Sequence, residues 1–183
     1  MSGRTIARCL AVAIIALGTL TSAALATIAR ALDLQELAAS AERIVVADVM
    51  RVESAWDAAH RNIHTHVEIA IQESWKGEVP ASGRLTLRQL GGTVGEIEMS
   101  VLGAAKFLPG ERALLFLDRH GLVGMGQGKR ALRWEAAGRR WLVEPVERSG
   151  ATLVDSRGKP RTALPPVEDL EHLRSRVARL VGK

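Results

Sequence analysis

Three histidines and a glutamate, His60, His64, His66 and Glu68, lie within one short stretch of the sequence. Imidazole is a common ligand of zinc, and three protein ligands around an open position would serve a metal-assisted hydrolase. The run from Ile63 to Trp75 alternates, with Ile63, Thr65, Val67, Ile69 and Ile71 on one face. His64, His66, Glu68, Ala70 and Gln72 fall on the other, so the pattern predicts a strand. His64 and His66 would then stand about 6.5–7 Å apart and could share a metal, whereas Glu68 would be about 13 Å from His64. A third ligand would have to come from His60 across the preceding turn, or from another strand. Histidines on the polar face of an alternating strand are more commonly solvated, so no cofactor is expected.

Other motifs carry less. His120 and His172 have no partner at a telling spacing, and there is no Gly-x-Ser-x-Gly elbow for a serine nucleophile. The segments LGGTVGE and GLVGMGQGK fit neither phosphate-loop pattern and read as turns and sheet corners. Trp134 and Trp141 flank a predicted hairpin. Facing outward they would form a stacking platform for a sugar or a base; facing each other they would be a cross-strand pair.

The elements that must position these residues begin after a leader. Arg4 and Arg8 precede a stretch from Cys9 to Ile28 that is apolar, small or hydroxylic. Ala29-Arg30-Ala31 offers small residues for a signal peptidase, with Ala24-Leu25-Ala26 as a second site. Residues 1–31 are therefore expected to be a signal peptide cleaved after Ala31, and the mature chain periplasmic or secreted with no stable membrane span. The rival is a retained anchor, since Cys9 to Ile28 is about the length that crosses a bilayer as a helix. Cleavage removes Cys9, the only cysteine, and with it any disulfide, thiolate metal site or cysteine nucleophile. Loss of Arg4, Arg8 and Arg30 brings 25 basic residues to 22 against 20 acidic ones, a net charge of +2. With both signs interspersed, that balance argues against a nucleic-acid partner.

The mature region reads as mainly β. A short helix is expected between Leu32 and Glu42, then strands over Arg43–Glu53, Ile63–Trp75 and Arg84–Leu90, and a weaker one over Val94–Val101. Leu108-Pro109-Gly110-Glu111 fits a type II turn leading into a buried strand, Ala113–Asp118. Arg130–Trp134 and Trp141–Val146 form a hairpin around Ala137-Gly138. From Pro165-Pro166 onward, Glu168 and Asp169 suit a helix start, Arg179 and Lys183 its end, and Leu170, Leu173, Val177 and Leu180 form one apolar stripe. The expected division is a small OB-like β-barrel with a short N-terminal helix over residues 32–164, and a C-terminal amphipathic helix over 165–183.

The succession AERIVVADV, ESWKG, RLTLRQLGG and FLPGERALLFL resembles a group of uncharacterised exported bacterial domains. Its layout, over about residues 34–118, is similar to the OB-type barrel of netrin-like modules and tissue inhibitors of metalloproteinases. The resemblance implies a fold more than an activity. Those inhibitors chelate the catalytic zinc through an N-terminal cysteine, which no mature residue here matches, so that mode of inhibition is ruled out while loop insertion stays open. The leading expectation is an exported, non-catalytic binding or scaffold module for a protein or cell-envelope ligand. Its expected surface comprises Lys76, Gly77, Gly91, Gly92, Glu96, Trp134 and Trp141, on the principle that loops at one barrel end can vary without cost to the core. The alternatives are a metal-assisted hydrolase using His60, His64 and His66, and a loop-type protease inhibitor.

Overall fold

The computed structural model describes residues 28–145, 151–161 and 165–182. Most of the expected leader, including Cys9 and Ala24-Leu25-Ala26, lies outside the described residues, as do Val146 and Lys183. The chain runs through β1 (Ile28–Arg30), α1 (Leu34–Ser40), β2 (Arg43–Trp56), β3 (Ile63–Lys76) and β4 (Arg84–Leu90). Then come β5 (Gly92–Val94), β6 (Ile97–Met99), β7 (Arg112–Asp118), β8 (Gly121–Leu122), a 3-10 turn over Met125–Gly128 and β9 (Lys129–Glu135). It ends with β10 (Arg140–Val143), β11 (Thr152–Val154), β12 (Glu168–Asp169) and α2 (Leu170–Val181). The fold is mainly β, and no helix among the described residues is long and apolar enough to cross a membrane.

One antiparallel sheet dominates, in the order β12-β10-β9-β7-β2-β3-β4, with β8 added to β7. Register shifts between Ile44 and Val45, Val46 and Ala47, and Val49 and Arg51 interrupt the β2–β3 ladder. Such bulges bend and twist a strand, and here they let the β2–β3–β4 half curl over itself. The hydrogen-bonded path does not close: β4 and β12 remain edges among the described residues, and β4 comes alongside β8 with no ladder between them.

Both faces of the sheet are covered, and alternate side chains divide between two cores. Val45, Ala47, Val49, Val67, Ile69, Ala113, Leu115 and Leu117 fill the inner face of the curl beneath Ala105 and Phe107. Ile44, Val46, Leu114, Phe116, Leu132 and Val143 point to the outer face, where Leu37 of α1 and Leu170, Leu173 and Val177 of α2 meet them. Residues Ala113 to Leu117 are all buried for this reason, and β7 reads as a continuous apolar run. The loop before β7 is tied down by Lys129, whose ammonium pairs with Glu111 at 2.7 Å, lies 4.7 Å from the Phe107 ring centroid and donates to the Lys106 carbonyl.

Local chemistry sets the ends of the helices. The Asp33 carboxylate accepts the Glu36 amide at 2.8 Å while Glu36 accepts the Asp33 amide at 2.9 Å, a reciprocal capping box that starts α1. Asp169 caps α2 by accepting the Glu171 and His172 amides. The C-terminal helix therefore begins at Leu170, not at the proline pair, and Glu168 and Asp169 form a short strand against β10. Its stripe packs on the sheet through Leu170, Leu173 and Val177, while Leu180 stays exposed.

One further sequence expectation is corrected. The single strand over Val94–Val101 is a two-stranded hairpin, β5 and β6, because the chain reverses at Gly95. Residues 28–31, the end of the expected leader, make contacts with the rest of the fold. β1 pairs in parallel with β11, the Ala31 amide donates to the Val154 carbonyl at 2.7 Å, and Ala31 is buried.

Candidate functional site

The surface expected from the sequence is split by the fold. Lys76 and Gly77 end β3 where Lys76 pairs with Ile44, whereas Thr65, near the other end of the β2–β3 hairpin, meets Gly91 and Gly92. Eleven strand positions separate Thr65 from Lys76, roughly 30–35 Å. The Lys76 ammonium donates to the Ala38 carbonyl of α1 at 2.8 Å. A Cβ on Gly77 would lie 2.3 Å from the Glu42 carbonyl oxygen, so the absence of a side chain there lets two chain segments touch.

Gly91 and Gly92 are also taken up by packing. The Thr65 hydroxyl donates to the Gly91 carbonyl at 2.7 Å and lies 2.9 Å from the Ser54 hydroxyl. Gly92, at φ 133°, has room for no side chain, since a Cβ would fall 2.3 Å from Ser54 Oγ and 2.4 Å from Thr65 Oγ1. Glu96 stands exposed at the turn of the β5–β6 hairpin.

The histidines do not gather. His64 and His66 project from the outer face of β3, opposite Leu90 and Arg88 of β4. His60 sits beyond the strand in the turn, with its ring centroid 6.2 Å from that of Trp56. That turn is organised by Asp57, whose carboxylate accepts the Arg61 amide and the Asn62 side chain, bonds that hold it below the usual carboxylate range. No three His, Cys, Asp or Glu side chains among the described residues are close enough to hold a metal ion.

Trp134 and Trp141 face each other directly across β9 and β10, with centroids 5.3 Å apart and rings at 63°. The Arg112 guanidinium lies 4.8 Å from the Trp141 ring centroid and makes two bonds to Asp48, 2.5 and 2.8 Å long. Those bonds raise the Arg112 pKa. Trp141 is partly buried, and Trp134 keeps about half its surface, 48%, in solvent.

The concavity nearest the predicted loop lies where the curled sheet fails to close. A cleft of ≈ 230 Å³ separates β4 from β8, with Leu87, Val101, Phe107 and Leu122 in its wall and Arg88, Gln89 and His120 supplying its polar groups. Gln89 braces one side by donating to the Ala105 carbonyl at 2.8 Å. The pairing pattern explains why it stays open. Gly91 donates to Ile63, and the Gly83 carbonyl accepts from Ile71. Alternation between these points turns the amides of Leu85, Leu87 and Gln89 toward β3, and those of Thr86, Arg88 and Leu90 toward the cleft.

Turn chemistry in the sequence points to Leu90 to Glu96 as a ligand loop but gives no sign of Val101, Phe107 and Leu122. Apolar residues scattered through loop segments carry no periodicity, and only the crossing of those loops under the curl brings them together. Comparison of the chain with family models, with curated proteins and with solved structures finds no match.

Proposed function

We propose that the protein is an exported, non-catalytic binding module built on a partly open OB-like barrel, β8-β7-β2-β3-β4, with its ligand seated in the seam between β4 and β8. The observation that carries this reading is the seam itself. An apolar cleft at an unpaired sheet edge combines exposed backbone hydrogen-bonding groups with hydrophobic wall, the combination that small-molecule and peptide sites use. Its polar lining is an arginine, a glutamine and a histidine. His120 Nε2 accepts from Arg119 at 2.9 Å, and Arg88 supplies donors at the rim, which suits recognition of a polar group on a mostly apolar ligand. Export rests on the leader, and β1 favours its removal after Ala26, because cleavage after Ala31 would strip a strand from the fold.

The test has two arms. The full chain expressed in a bacterium with a periplasm should be found there in processed form; retention in the cytoplasm would remove the export reading. Isotope-labelled mature protein titrated with a fragment library should show shifts centred on Leu87, Phe107 and Leu122, abolished in Leu122→Trp, whose indole would fill the cleft. Shifts that ignore these residues, or that survive Leu122→Trp, would refute the seam as the ligand site.

A further inference from the structure

On the opposite face of the sheet, between β9, the first turn of α1 and the start of α2, lies a second cavity of ≈ 410 Å³. This is within the range of small-molecule sites, about 300–1,000 Å³. Arg130 lies cross-strand from Leu114 and shares the face that holds Phe116 and Leu132, an apolar layer in which a guanidinium is out of place. Its Nη1 donates to the carbonyls of Gln127 and Lys129, at 2.8 and 3.3 Å. Nε and Nη2 donate to no protein group among the described residues, and Arg130 forms part of the cavity wall.

Arg130 and Arg176 line that cavity together with two carboxylates, Asp33 and Glu168. Both carboxylates are engaged: Asp33 caps α1, and Glu168 bonds Arg176 at 2.8 Å. Glu168 attracts Arg130 through space without bonding to it, and burial still pushes the Arg130 pKa down, to about 10. A charged fork with free donors, held in a poorly solvated wall, is satisfied by an oxyanion that accepts two parallel N–H bonds. The remaining wall is apolar, with Phe116, Leu153 and Leu173.

We propose that this cavity is a binding site for a small amphipathic organic anion, its carboxylate or phosphate head on Arg130 and its hydrocarbon body against Phe116 and Leu173. The site lies on the helix-covered face, is separate from the seam, and does not depend on it. Arg130 and Arg176 would be the binding residues, and Glu168 would position Arg176.

The test uses the full-length protein and isothermal titration with hexanoate, phenyl phosphate, hexanol and inorganic phosphate. Hexanoate or phenyl phosphate should bind, and their affinity should fall about tenfold or more in Arg130→Met, the loss expected for a charge-assisted hydrogen bond. Methionine suits the apolar layer, and Arg176→Gln, on the partly exposed helix, should weaken the same anions as a second variant. Hexanol should not bind, and inorganic phosphate should bind more weakly than phenyl phosphate. The proposal is overturned if neither organic anion binds, if hexanol matches hexanoate, if phosphate alone matches phenyl phosphate, or if both variants bind like the parent. The wild-type protein's binding of the two organic anions distinguishes a carboxylate head from a phosphate head.

Discussion

Replacing Arg130 by methionine should make the protein more stable, and the size of the gain follows from its surroundings. Desolvation pushes the guanidinium down to about 10, well below its ordinary value, so the folded state disfavours its charged form by roughly 3 kcal/mol. Methionine removes that cost. It also removes the hydrogen bonds to the Gln127 and Lys129 carbonyls, about 1 kcal/mol each. Packing of the thioether chain into the Leu114 and Phe116 layer adds about 1 kcal/mol in its favour. The balance is a stabilisation of about 1–2 kcal/mol at pH 7, in line with the general result that apolar replacements of buried charges are neutral or favourable. Urea unfolding of both proteins, with midpoints compared at equal slope, measures it. The pH dependence gives an independent check. In the unfolded chain the arginine keeps its proton to a higher pH, whereas in the fold it releases it near 10. Between those values the unfolded state binds more protons, so this group makes the wild type more stable as pH rises. The advantage of the variant should therefore be full below pH 9 and shrink as pH passes through 10. A variant less stable than wild type by more than about 1 kcal/mol would mean that Arg130 holds the fold together, and the reasoning that treats it as a cation kept for a ligand would fail.

Three further outcomes are expected. Gly92→Ala should cost at least about 3 kcal/mol, against about 1 kcal/mol for Gly110→Ala, because both glycines have positive φ but only Gly92 faces neighbours within bonding distance. Removing those neighbours, with Ser54→Gly and Thr65→Ala, should recover part of the loss in thermal unfolding, and equal costs at the two glycines would contradict the packing role. Lys129→Ala should cost about 3–5 kcal/mol by leaving Glu111 without its partner in a mostly buried site, and urea denaturation should show Lys129→Ala, Glu111→Gln together costing less than the sum of the two. If the chain is exported, intact mass should place its first residue at Thr27, and a product beginning at Leu32 would show that β1 is dispensable.

Much of the strand framework was legible because period-two alternation survives wherever one face is buried and the other wet. β3 and β4 follow it closely: Ile63, Val67 and Ile69 are fully buried, and His66, Arg84 and Arg88 are exposed. The turn before β7 was equally readable, since Pro109 and Gly110 carry the conformations it needs, and Glu111 donates back to the Leu108 carbonyl at 3.1 Å. What could not be read was which surfaces meet. The glycine pair looked free to serve a ligand, and only coordinates show Ser54 and Thr65 pressed against it. Arg130 sits in an alternating strand on the face of Leu132, opposite Arg133, but nothing in KRALRWE tells how deeply that face is covered. Two helices from distant parts of the chain bury one arginine and leave the other wet.

That burial ties the cavity to the segment at the end of the expected leader. Ala31 and Leu32 form part of its wall, and Gln127 holds this segment by accepting the Leu32 amide at 2.7 Å and donating to the Arg30 carbonyl at 3.0 Å. β1 is itself anchored on β11, whose Leu153 faces the same space. Removing residues up to Ala31 would delete the β1–β11 ladder and one bond of the Gln127 clamp together, and open the cavity on the side where α1 begins. Processing five residues earlier keeps all three. If the chain is exported, the position of the leader cut thus determines whether the arginine-lined cavity has its N-terminal wall, a dependence that neither the leader nor the site reveals alone.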